Sequence, residues 1–415
     1  MGEYRLICTD CGRAFGRDEV EYVCPECART QRPGECLRGV LRAEYAIPRD
    51  GLRRFPREGP AGAARFIDLL PIDDPALLPP LPVGPSPLLS VPRLREALDT
   101  PRVFVKDDTV LPSGSLKDRA SSLVVAKARE KGAGVVTTAS TGNAATALAA
   151  MAAAAGIECV LFVPAEAPRA KLAQMLAFGA RVLRVTGSYD DAYALCLEAS
   201  LHFGWYNRST AYNPYTIEGK KTVALEIWEQ LGREAPDAVV VPVGDGVILA
   251  AVAKGFDDLR AAKLVDRVPR LVAVQAEGSA AIVDACEQGA ATVTPLARAT
   301  TIADSIRVAV PACGTWALRA LRETKGRGVR VSDDAILAAI AELGRLAGVF
   351  AEPAAAASLA GLHGALASGA VSPDARVVLL VSGSGLKDID AGLRAVAVPE
   401  PIPPTLDAVR RAIGA

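Results

Sequence analysis

The sequence predicts an α/β fold of the doubly wound type, in which mainly parallel sheets carry helices on both faces. Two observations predict it. Short apolar runs of strand length alternate with segments of helical periodicity from about residue 100 onwards. Three loops built from small residues follow strands at 137–145, 241–249 and 380–388, which is where ligands bind in such folds. The predicted strands are 103–106, 134–138, 159–163, 181–185, 238–241, 271–274 and 376–381, and the predicted helices are 116–131, 143–155, 168–178, 189–203, 220–231, 247–260, 333–347 and 353–367.

Length and charge limit the class of partner. With 415 residues and 50% hydrophobic content, the chain is long enough for a sizeable core and two or three domains. Its 47 Lys and Arg residues match its 47 Asp and Glu residues, so no net charge attracts nucleic acid or an anionic membrane. The first residues lack a secretory signal, and Gly156 and Glu158 interrupt the apolar run 143–165, which favours a buried helix and strand over a membrane span. We therefore expect a cytoplasmic protein with a small-molecule partner.

The first part of the chain carries a cysteine pattern typical of a structural zinc site. Cys8 and Cys11 form one C-x-x-C pair, Cys24 and Cys27 form a second, and 12 residues separate the pairs. Such spacing brings four thiolates to one tetrahedral ion, and a stretch this short cannot fold on its own core. Unpaired cysteines or a disulfide remain as alternatives. The isolated cysteines are interpreted as core or surface fillers: Cys36, Cys159, Cys196, Cys286 and Cys313.

A proline-rich segment, residues 48–92, follows the cysteine pattern and predicts a connector over a domain surface. Beyond it, "LPSGSLKDRASS" (111–122) places Lys117 where a helix begins. The helix dipole disfavours a lysine there, and a solvated surface lysine is the ordinary alternative. Three further loops supply the context: "VPVGDGVIL" contains a glycine turn that can bind a phosphate, while "TTASTGNAA" and "LVSGSGLKD" offer hydroxyl and amide donors.

The chemistry of these loops excludes some classes of enzyme. His202 and His363 are the two histidines of the whole sequence, which argues against histidine-based acid–base catalysis. The glycine turn lacks a following Walker lysine, which argues against nucleotide hydrolysis. A lysine that works without histidine, next to a phosphate cradle, suggests a Schiff base with a phosphate-bearing aldehyde cofactor.

The order of motifs resembles the fold-type II pyridoxal-phosphate enzymes, and among them most closely the threonine synthase family. The resemblance covers about residues 84–390 and rests on "GPSPLLSVPRL", "VFVKDDTVLPSGSLKDR", "STGNAATALAAMAAAAGI", "NPYTIEGKKTVALEIWEQLG", "VPVGDGVILAAVAKGF", "VAVQAEGSAAI", "TIADSIRVAVP", "FAEPAAAASLAGL" and "VSGSGLKD". It implies two doubly wound domains, a homodimer and a small zinc-ribbon-like extension. The expected division is an extension at 1–40, a large cofactor-binding domain at 41–112 and 210–400, a small domain at 113–209, and a tail at 401–415.

The resemblance also implies roles for individual residues. Lys117 would hold pyridoxal phosphate covalently and later move protons at the substrate's α-carbon. Asn143 would bind the 3′-oxygen of the cofactor, and Ser382 would face its pyridine nitrogen. A hydroxyl at that nitrogen does not hold it protonated, so elimination or replacement, the chemistry of a lyase, is expected more than transamination. The cofactor phosphate would lie on Gly244, Asp245, Gly246, Val247 and Ile248, and the substrate carboxylate on Ser140, Thr141 and Gly142.

The chain departs from the family in the segment that binds the substrate phosphate. Threonine synthases act on O-phosphohomoserine, and the expected pattern is Asn-Ser-x-Asn-Pro-x-Arg-x-Glu-Gly-Gln-Lys-Thr. In "TAYNPYTIEGKKT", Thr210, Ala211, Thr216 and Lys220 replace the Asn, Ser, Arg and Gln of that pattern, and Ala144 stands where a threonine is common. Lys220 would still contribute to substrate binding, but a lysine orients a phosphate less well than an arginine fork.

Three functions therefore remain open. The first is a threonine synthase-like conversion of O-phosphohomoserine with an altered phosphate pocket. The second is β-elimination or β-replacement on serine, threonine or phosphoserine, as in dehydratases and in cysteine or cysteate synthases. The third is a non-catalytic binding module, against which the intact set of Lys117, Asn143 and Ser382 argues. Glu218 and Glu352 receive no role, because buried structural carboxylates are common near helix starts.

Overall fold

The computed structural model describes residues 3–47 and 62–414. Its N-terminal part is a three-stranded antiparallel sheet in the order β2-β1-β3. A short helix lies between the second and third strands and begins at a proline, whose fixed φ suits a first helical position. The elements are β1 (Tyr4–Cys8), β2 (Ala14–Phe15), α1 (Pro25–Ala28) and β3 (Leu41–Tyr45).

The remaining strands form two larger sheets. All seven strands predicted from the apolar runs are confirmed, each to within two residues at either end. The edge strand at 327–331 was not predicted, because its arginines and glycine give no continuous apolar run. The strands are β4 (Leu88–Ser90), β5 (Val103–Asp107), β6 (Val135–Ala139), β7 (Glu158–Pro164), β8 (Arg181–Val185), β9 (Tyr206–Asn207), β10 (Ala238–Pro242), β11 (Arg270–Ala276), β12 (Arg327–Val331) and β13 (Val377–Val381).

All eight predicted helices are confirmed, each to within two residues at either end, and 220–231 corresponds to the helix Thr222–Gln230. A short helix before it, Tyr215–Lys220, was not predicted. The chain is already helical from Tyr215, because the side chain of Asn213 accepts a hydrogen bond from the Tyr215 N–H at 2.9 Å and caps the first turn. The helices are α2 (Pro92–Leu98), α3 (Lys117–Glu130), α4 (Asn143–Ala155), α5 (Arg169–Ala177), α6 (Tyr189–Phe203), α7 (Tyr215–Lys220), α8 (Thr222–Gln230), α9 (Val247–Ala261), α10 (Ala281–Glu287), α11 (Gly314–Glu323), α12 (Asp333–Ala347), α13 (Pro353–Ala367), α14 (Ile389–Arg394) and α15 (Leu406–Ile413).

The larger sheet has six strands in the order β12-β11-β10-β13-β5-β4, of which β4 alone is antiparallel to its neighbour. Helices α12 and α13 cover one face, and α9, α10 and α11 cover the other. The alanine-rich α13 lies so close to the sheet that a Cβ at Gly361 would come within 2.1 Å of the Val274 side chain. The near-continuous valine and leucine runs of β10 and β13 are explained by this burial on both faces.

The smaller sheet has four parallel strands in the order β8-β7-β6-β9. Helix α4 packs on one face and α6 on the other, so both large sheets are doubly wound, as the sequence predicts. The apolar run 143–165 forms α4 and β7, which confirms the predicted buried helix and strand. None of the helices in residues 3–47 and 62–414 is long and apolar enough to span a membrane.

The proline-rich segment enters the core as well as lying over it. Residues 48–61 of the predicted connector lie outside the described residues. From residue 62 onwards, Phe66, Leu69 and Val83 are buried in the main hydrophobic cluster, and 88–90 form the antiparallel edge strand β4. The prediction of a purely superficial connector is therefore wrong for this part. Its apolar residues lie between prolines that break any regular periodicity.

Candidate active site

Lys117 lies at the carboxyl end of the larger sheet, next to the end of β13. The N–H of Leu116 donates to the carbonyl of Ser382 at 2.9 Å, and the N–H of Ser384 donates to the carbonyl of Gly114 at 2.9 Å. Ser115 and Gly383 form an antiparallel bridge between these two bonds. Two loops more than 260 residues apart in sequence are thereby joined, and Lys117 and the buried Ser382 are brought to the same place.

The amine of Lys117 is partly buried and makes no hydrogen bond or ion pair with any described residue. Its pKa lies below the ordinary value, chiefly because burial disfavours the charged form. The cations of Arg208 and Lys171 lower this pKa further, whereas the carboxylates of Glu352 and Asp245 act in the opposite direction. A lysine with a lowered pKa and no competing partner is suited to act as a nucleophile.

The glycine turn between β10 and α9 has the shape of an anion cradle. Gly246 has a φ of 87°, and a Cβ there would lie 2.9 Å from the carbonyl oxygen of Cys313. A Cβ at Gly244 would lie 2.9 Å from the Cα of Ile306, so the backbone of a second loop closes over the turn. The N–H groups of Gly244 and Gly246 have no acceptor among the described residues. They precede the 15-residue helix α9, whose dipole favours an anion.

Val247 and Ile248, two members of the predicted phosphate cradle, differ from the glycines of the turn. The carboxylate of Asp245 accepts a hydrogen bond from the N–H of Val247 at 3.0 Å, so that N–H is already engaged. Ile248 lies buried in the first turn of α9. The backbone carbonyl of Asp245 accepts from the N–H of Cys313 at 2.8 Å, which fixes the turn against the loop before α11.

The turn between β6 and α4 carries the second group of predicted residues. Ser140 and Thr141 are partly buried, and the Ser140 hydroxyl accepts a hydrogen bond from the N–H of Gly142 at 3.1 Å. The Nδ2 of Asn143 donates to Glu352 at 2.6 Å and to Ser305 at 3.1 Å. The Oδ1 of Asn143 is buried and has no partner among the described residues, an arrangement that leaves room for a further polar group.

Glu352 and Lys171 complete this side of the site, although sequence reasoning did not select them. Both side chains are 2% exposed. The ammonium of Lys171 lies 3.2 Å from Asp304 and 3.9 Å from Glu352, and a Cβ at Gly142 would lie 3.1 Å from it. Lys171 belongs to a helix without a recognisable motif, so nothing in the sequence marks it. Glu352 stands before the proline that begins α13, a position that also suits an ordinary helix start.

Lys220 and Arg208 form a second basic pair beside Lys117. The guanidinium of Arg208 is fully buried and donates to the hydroxyls of Ser121 at 3.2 Å and Thr210 at 2.6 Å, while its Nη2 has no partner among the described residues. Lys220 is 2% exposed, and its amine forms neither an ion pair nor a hydrogen bond with any described residue. Burial lowers the pKa of Arg208 to about 10 and that of Lys220 to about 7. The Asp245 carboxylate acts in the opposite direction on both groups, and the charges of Arg208 and Lys117 lower the pKa of Lys220 further.

Buried cations without a carboxylate in ion-pair contact are costly, so this pair is a candidate anion site. Sequence reasoning selected Lys220 but missed Arg208. The signal that could have found it is its position immediately after the short strand β9, at the edge where the other loops meet.

The four predicted metal ligands lie together away from these loops. Their sulfur atoms lie within 4.8 Å of one another, with 3.7 Å between Cys8 and Cys27 and 3.8 Å between Cys11 and Cys24. A disulfide requires about 2.05 Å between sulfurs, so these contacts are not disulfides. Sulfurs at about 2.3 Å from a tetrahedral ion lie roughly 3.8 Å apart, and the cluster therefore fits such an ion. Of the isolated cysteines, four are buried and Cys286 is partly exposed, as expected for fillers.

Comparisons with known proteins agree with this arrangement. The family described as "Pyridoxal-phosphate dependent enzyme" matches residues 80–383. The threonine synthase of Methanosarcina acetivorans is 36% identical over 415 residues, covering 99% of this chain and 98% of that protein. The threonine synthase of Methanocaldococcus jannaschii is 34% identical over 405 residues, covering 97% of this chain and 98% of that protein.

Solved structures show the same fold. The processed form of threonine deaminase isoform 2 from Solanum lycopersicum superposes with a TM-score of 0.64 at 23% identity, covering 75% of this chain and 88% of that chain. This confirms the α/β architecture of the fold-type II enzymes that the motifs predict. The family match and the two threonine synthase relatives identify the chain as an enzyme. The chain belongs to the family of pyridoxal-phosphate dependent enzymes and, within it, to the threonine synthase-like branch.

Proposed function

We propose that this enzyme converts O-phosphohomoserine and water to threonine and phosphate, and that it binds the substrate phosphate between Arg208 and Lys220. The observation that carries the proposal is the pair of buried cations beside Lys117, neither of which forms an ion pair with a described carboxylate, although the charge of Asp245 acts on both. The names of the archaeal relatives support the same reaction. In the family pattern the arginine lies in α7, at the position of Thr216 in this chain. Here Arg208, the residue after β9, would take the place of that arginine, so the phosphate site would be displaced and not lost.

Arg208 is suited to this role by its geometry. Hydrogen bonds to Ser121 and Thr210 fix the guanidinium plane and leave Nη2 available to donate. A planar guanidinium orients a phosphate, and Lys220 adds a second, movable charge. Thr210, which replaces the asparagine of the family pattern, thus acts through Arg208 in this chain.

The residues of the site fit pyridoxal phosphate. Among the described residues, the amine of Lys117, the Oδ1 of Asn143 and the N–H groups of Gly244 and Gly246 lack partners, and they match an aldehyde, a ring hydroxyl and a phosphate. When bound, this cofactor supplies an electron sink for carbanions formed on the substrate. The phosphate cradle would comprise Gly244, Asp245, Gly246, Val247 and Ile248. The N–H groups of Gly244 and Gly246 would be its free donors, because the N–H of Val247 already donates to Asp245.

The remaining steps belong to the side chains of this protein. Lys117 would hold the cofactor and, once displaced by the substrate amine, move protons at the α-carbon, for which its lowered pKa suits it. Ser140, Thr141 and Gly142 would bind the substrate carboxylate, and Ser382 would face the ring nitrogen. Arg208 and Lys220 would bind the leaving phosphate and offset the charge it acquires.

Steady-state assays with O-phosphohomoserine test the proposal. We expect threonine and phosphate in equal amounts, and a rise in KM of at least about tenfold in Arg208→Met, since a charged hydrogen bond contributes about 1.5–3 kcal/mol. Arg233→Met is the matched control, because this arginine stacks on Trp228 away from the site. Unchanged kinetics in Arg208→Met, or no threonine at all, would contradict the proposal.

The second candidate is β-elimination or β-replacement on phosphoserine, and the same observation favours it. Phosphoserine carries the anionic group that Arg208 and Lys220 would bind, whereas serine and threonine do not. Threonine deaminase and serine racemase share the fold, although identities of 23–24% show no more than that. Parallel assays with O-phosphohomoserine, phosphoserine, serine and threonine would distinguish the two candidate functions. Turnover of phosphoserine above that of O-phosphohomoserine would favour the second candidate.

We also propose that Cys8, Cys11, Cys24 and Cys27 hold a structural zinc ion. The sulfur separations support a closed tetrahedral site, which has no open position for catalysis. Elemental analysis of the purified protein would test it, with about one zinc ion per chain expected. We further propose a cytoplasmic homodimer whose chain divides into an extension at 1–40, a large domain at 41–112 and 210–400, a small domain at 113–209 and a tail at 401–415.

A further inference from the structure

The segment from Cys36 to Tyr45, here called the bracing segment, contacts the cysteine cluster on one side. The N–H of Cys24 donates to the carbonyl of Gly39 at 2.8 Å. A Cβ at Gly39 would lie 2.9 Å from the carbonyl oxygen of Cys24, so the two backbones touch. Strand β3 then pairs with β1, in register from Cys8 and Leu41. The position of the bracing segment is therefore tied to the residues that carry the cysteines.

The other side of the bracing segment contacts Glu218, which lies in α7 two residues before Lys220. The N–H of Ala43 donates to one carboxylate oxygen at 3.1 Å, and the hydroxyl of Tyr45 donates to the other at 2.6 Å. Lys221 donates to the Tyr45 hydroxyl at 3.0 Å and to Glu218 at 2.6 Å. All four residues are buried. Lys220 thus lies in sequence between Glu218 and Lys221. Glu218 is hydrogen-bonded to the backbone and to the Tyr45 side chain of β3, and Lys221 is hydrogen-bonded to the same Tyr45 side chain.

A second contact leads from the bracing segment to the glycine turn. The N–H of Leu37 donates to the carbonyl of Ala312 at 3.1 Å, and the next residue, Cys313, donates its N–H to Asp245 at 2.8 Å. A Cβ at Gly314 would lie 3.0 Å from the sulfur of Cys36, which leaves little space between the two segments. One short segment therefore abuts both elements that hold the anion sites.

We infer that the cysteine cluster controls phosphate binding at Lys220 through the bracing segment, with Glu218 as the positioning residue. The inference rests on the proposed function of Lys220. An ammonium without a partner is held only by the helix that carries it, so the orientation of α7 decides whether Lys220 and Arg208 can bind one phosphate together. Glu218 fixes α7 against β3, and the zinc ion proposed for the four cysteines would fix the segments that carry them, against which the bracing segment packs. Loss of the metal would then weaken phosphate binding without altering the residues that contact phosphate.

Binding of inorganic phosphate to the cofactor-loaded enzyme tests the inference, because the cofactor occupies its own phosphate cradle. Calorimetric titration would compare Tyr45→Phe with Glu44→Gln. Both residues belong to β3, but the Glu44 carboxylate contacts the exposed Arg5 instead of Glu218. We expect at least about a fivefold higher Kd and a matching rise in KM for Tyr45→Phe, with kcat changed less, and no change for Glu44→Gln. Equal Kd values in Tyr45→Phe and the unmodified enzyme would overturn the inference.

A second measurement covers the case in which Tyr45→Phe does not fold. Metal content and phosphate Kd would be measured together before and after treatment of the unmodified enzyme with a chelator, and in Cys11→Ser beside Cys286→Ser. Cys11 is exposed, so its replacement disturbs little packing, and Cys286 lies outside the cluster. We expect metal loss and weaker phosphate binding to occur together in the chelator-treated enzyme and in Cys11→Ser, and neither change in Cys286→Ser. Full phosphate affinity without metal would overturn the inference, whereas an unmodified enzyme that binds no phosphate would overturn the proposed function instead.

Discussion

The Nδ2 of Asn143 donates a 2.6 Å hydrogen bond to the carboxylate of Glu352, a residue 209 positions further along the chain. The bond joins the turn after β6, in the smaller sheet, to the residue before α13, which packs on the larger sheet. Glu352 also has its backbone N–H hydrogen-bonded to Gly383 at 3.0 Å, beside Ser382. One carboxylate thus sets the separation between the two walls of the site.

Replacement of Glu352 by alanine should weaken cofactor binding. It leaves the Asn143 amide without its strongest hydrogen-bond partner and removes one of the two carboxylates near Lys171. We expect a loss of about 1–3 kcal/mol, or roughly 5- to 150-fold in cofactor Kd, measured by absorbance titration of the cofactor-free protein. Glu342→Ala is the control, because its carboxylate contacts the exposed His363. Equal cofactor affinity in the two variants would contradict this prediction.

Substrate affinity should fall as the pH rises through about 7. Burial and the neighbouring cations lower the pKa of Lys220 to about 7, so the free site loses this positive charge above that pH. KM for O-phosphohomoserine should therefore rise between about pH 7 and pH 9 while kcat changes less. Lys220→Arg, whose guanidinium stays charged, should have a KM that varies less over this range. A profile that is the same for both proteins would show that Lys220 does not bind the phosphate.

Replacement of Gly246 by alanine should distort the phosphate cradle. The new Cβ would lie 2.9 Å from the Cys313 carbonyl oxygen at a φ of 87°. Gly289→Ala separates the effect of the collision from the effect of the backbone conformation. Gly289 also has a positive φ, 62°, but a Cβ added there would meet open space. Both variants should lose about 1–2 kcal/mol of unfolding free energy from the backbone conformation, and Gly246→Ala should lose more, together with cofactor affinity. Thermal unfolding and absorbance titration measure the two effects, and equal losses would exclude the predicted collision.

Glu226 should stabilise the fold through a buried charge network. Its carboxylate accepts hydrogen bonds from Lys106 at 2.6 Å and from Arg119, in α3, at 2.6 Å. Burial alone would raise its pKa, but these two cations hold it at about 2. The folded pKa lies below the unfolded value, so this stability is present above about pH 4.5 and is lost as the pH falls towards 2.

Urea unfolding at pH 7 and at pH 3 would measure how much the Glu226 carboxylate stabilises the fold and how this stabilisation depends on pH. Glu226→Gln should lose roughly 3–5 kcal/mol at pH 7, because it leaves buried cations uncompensated. The difference from the unmodified protein should shrink at the lower pH. Glu234→Gln, which removes a 64% exposed partner of Arg376, should change the unfolding free energy by less than about 1 kcal/mol. Similar losses in the two variants would show that the buried network contributes no more than a surface pair.

Local patterns along the chain are enough to predict the fold class and the loops that carry the chemistry. Short apolar runs predict buried strands because a parallel sheet covered on both faces needs uninterrupted apolar residues. Glycine-rich turns predict phosphate cradles because close backbone approach excludes a Cβ. Lys117 and Gly246 are therefore selected by local patterns with a physical reason, whereas the roles expected of Asn143 and Ser382 are implied by the family resemblance.

Which side chains meet across those loops depends on how the chain folds. Arg208 and Lys171 carry no local pattern, and Glu352 stands in a family motif that gives it no role. Their contacts follow from burial and from partners distant in sequence. The replacements in residues 210–222 predict an altered pocket for the substrate phosphate. Sequence spacing locates hydrogen-bond donors within that one segment, but it does not locate donors such as Arg208 that approach from another strand. Burial without an ion-pair partner is a property of the folded chain, and the proposal of a phosphate site at Arg208 and Lys220 rests on this property.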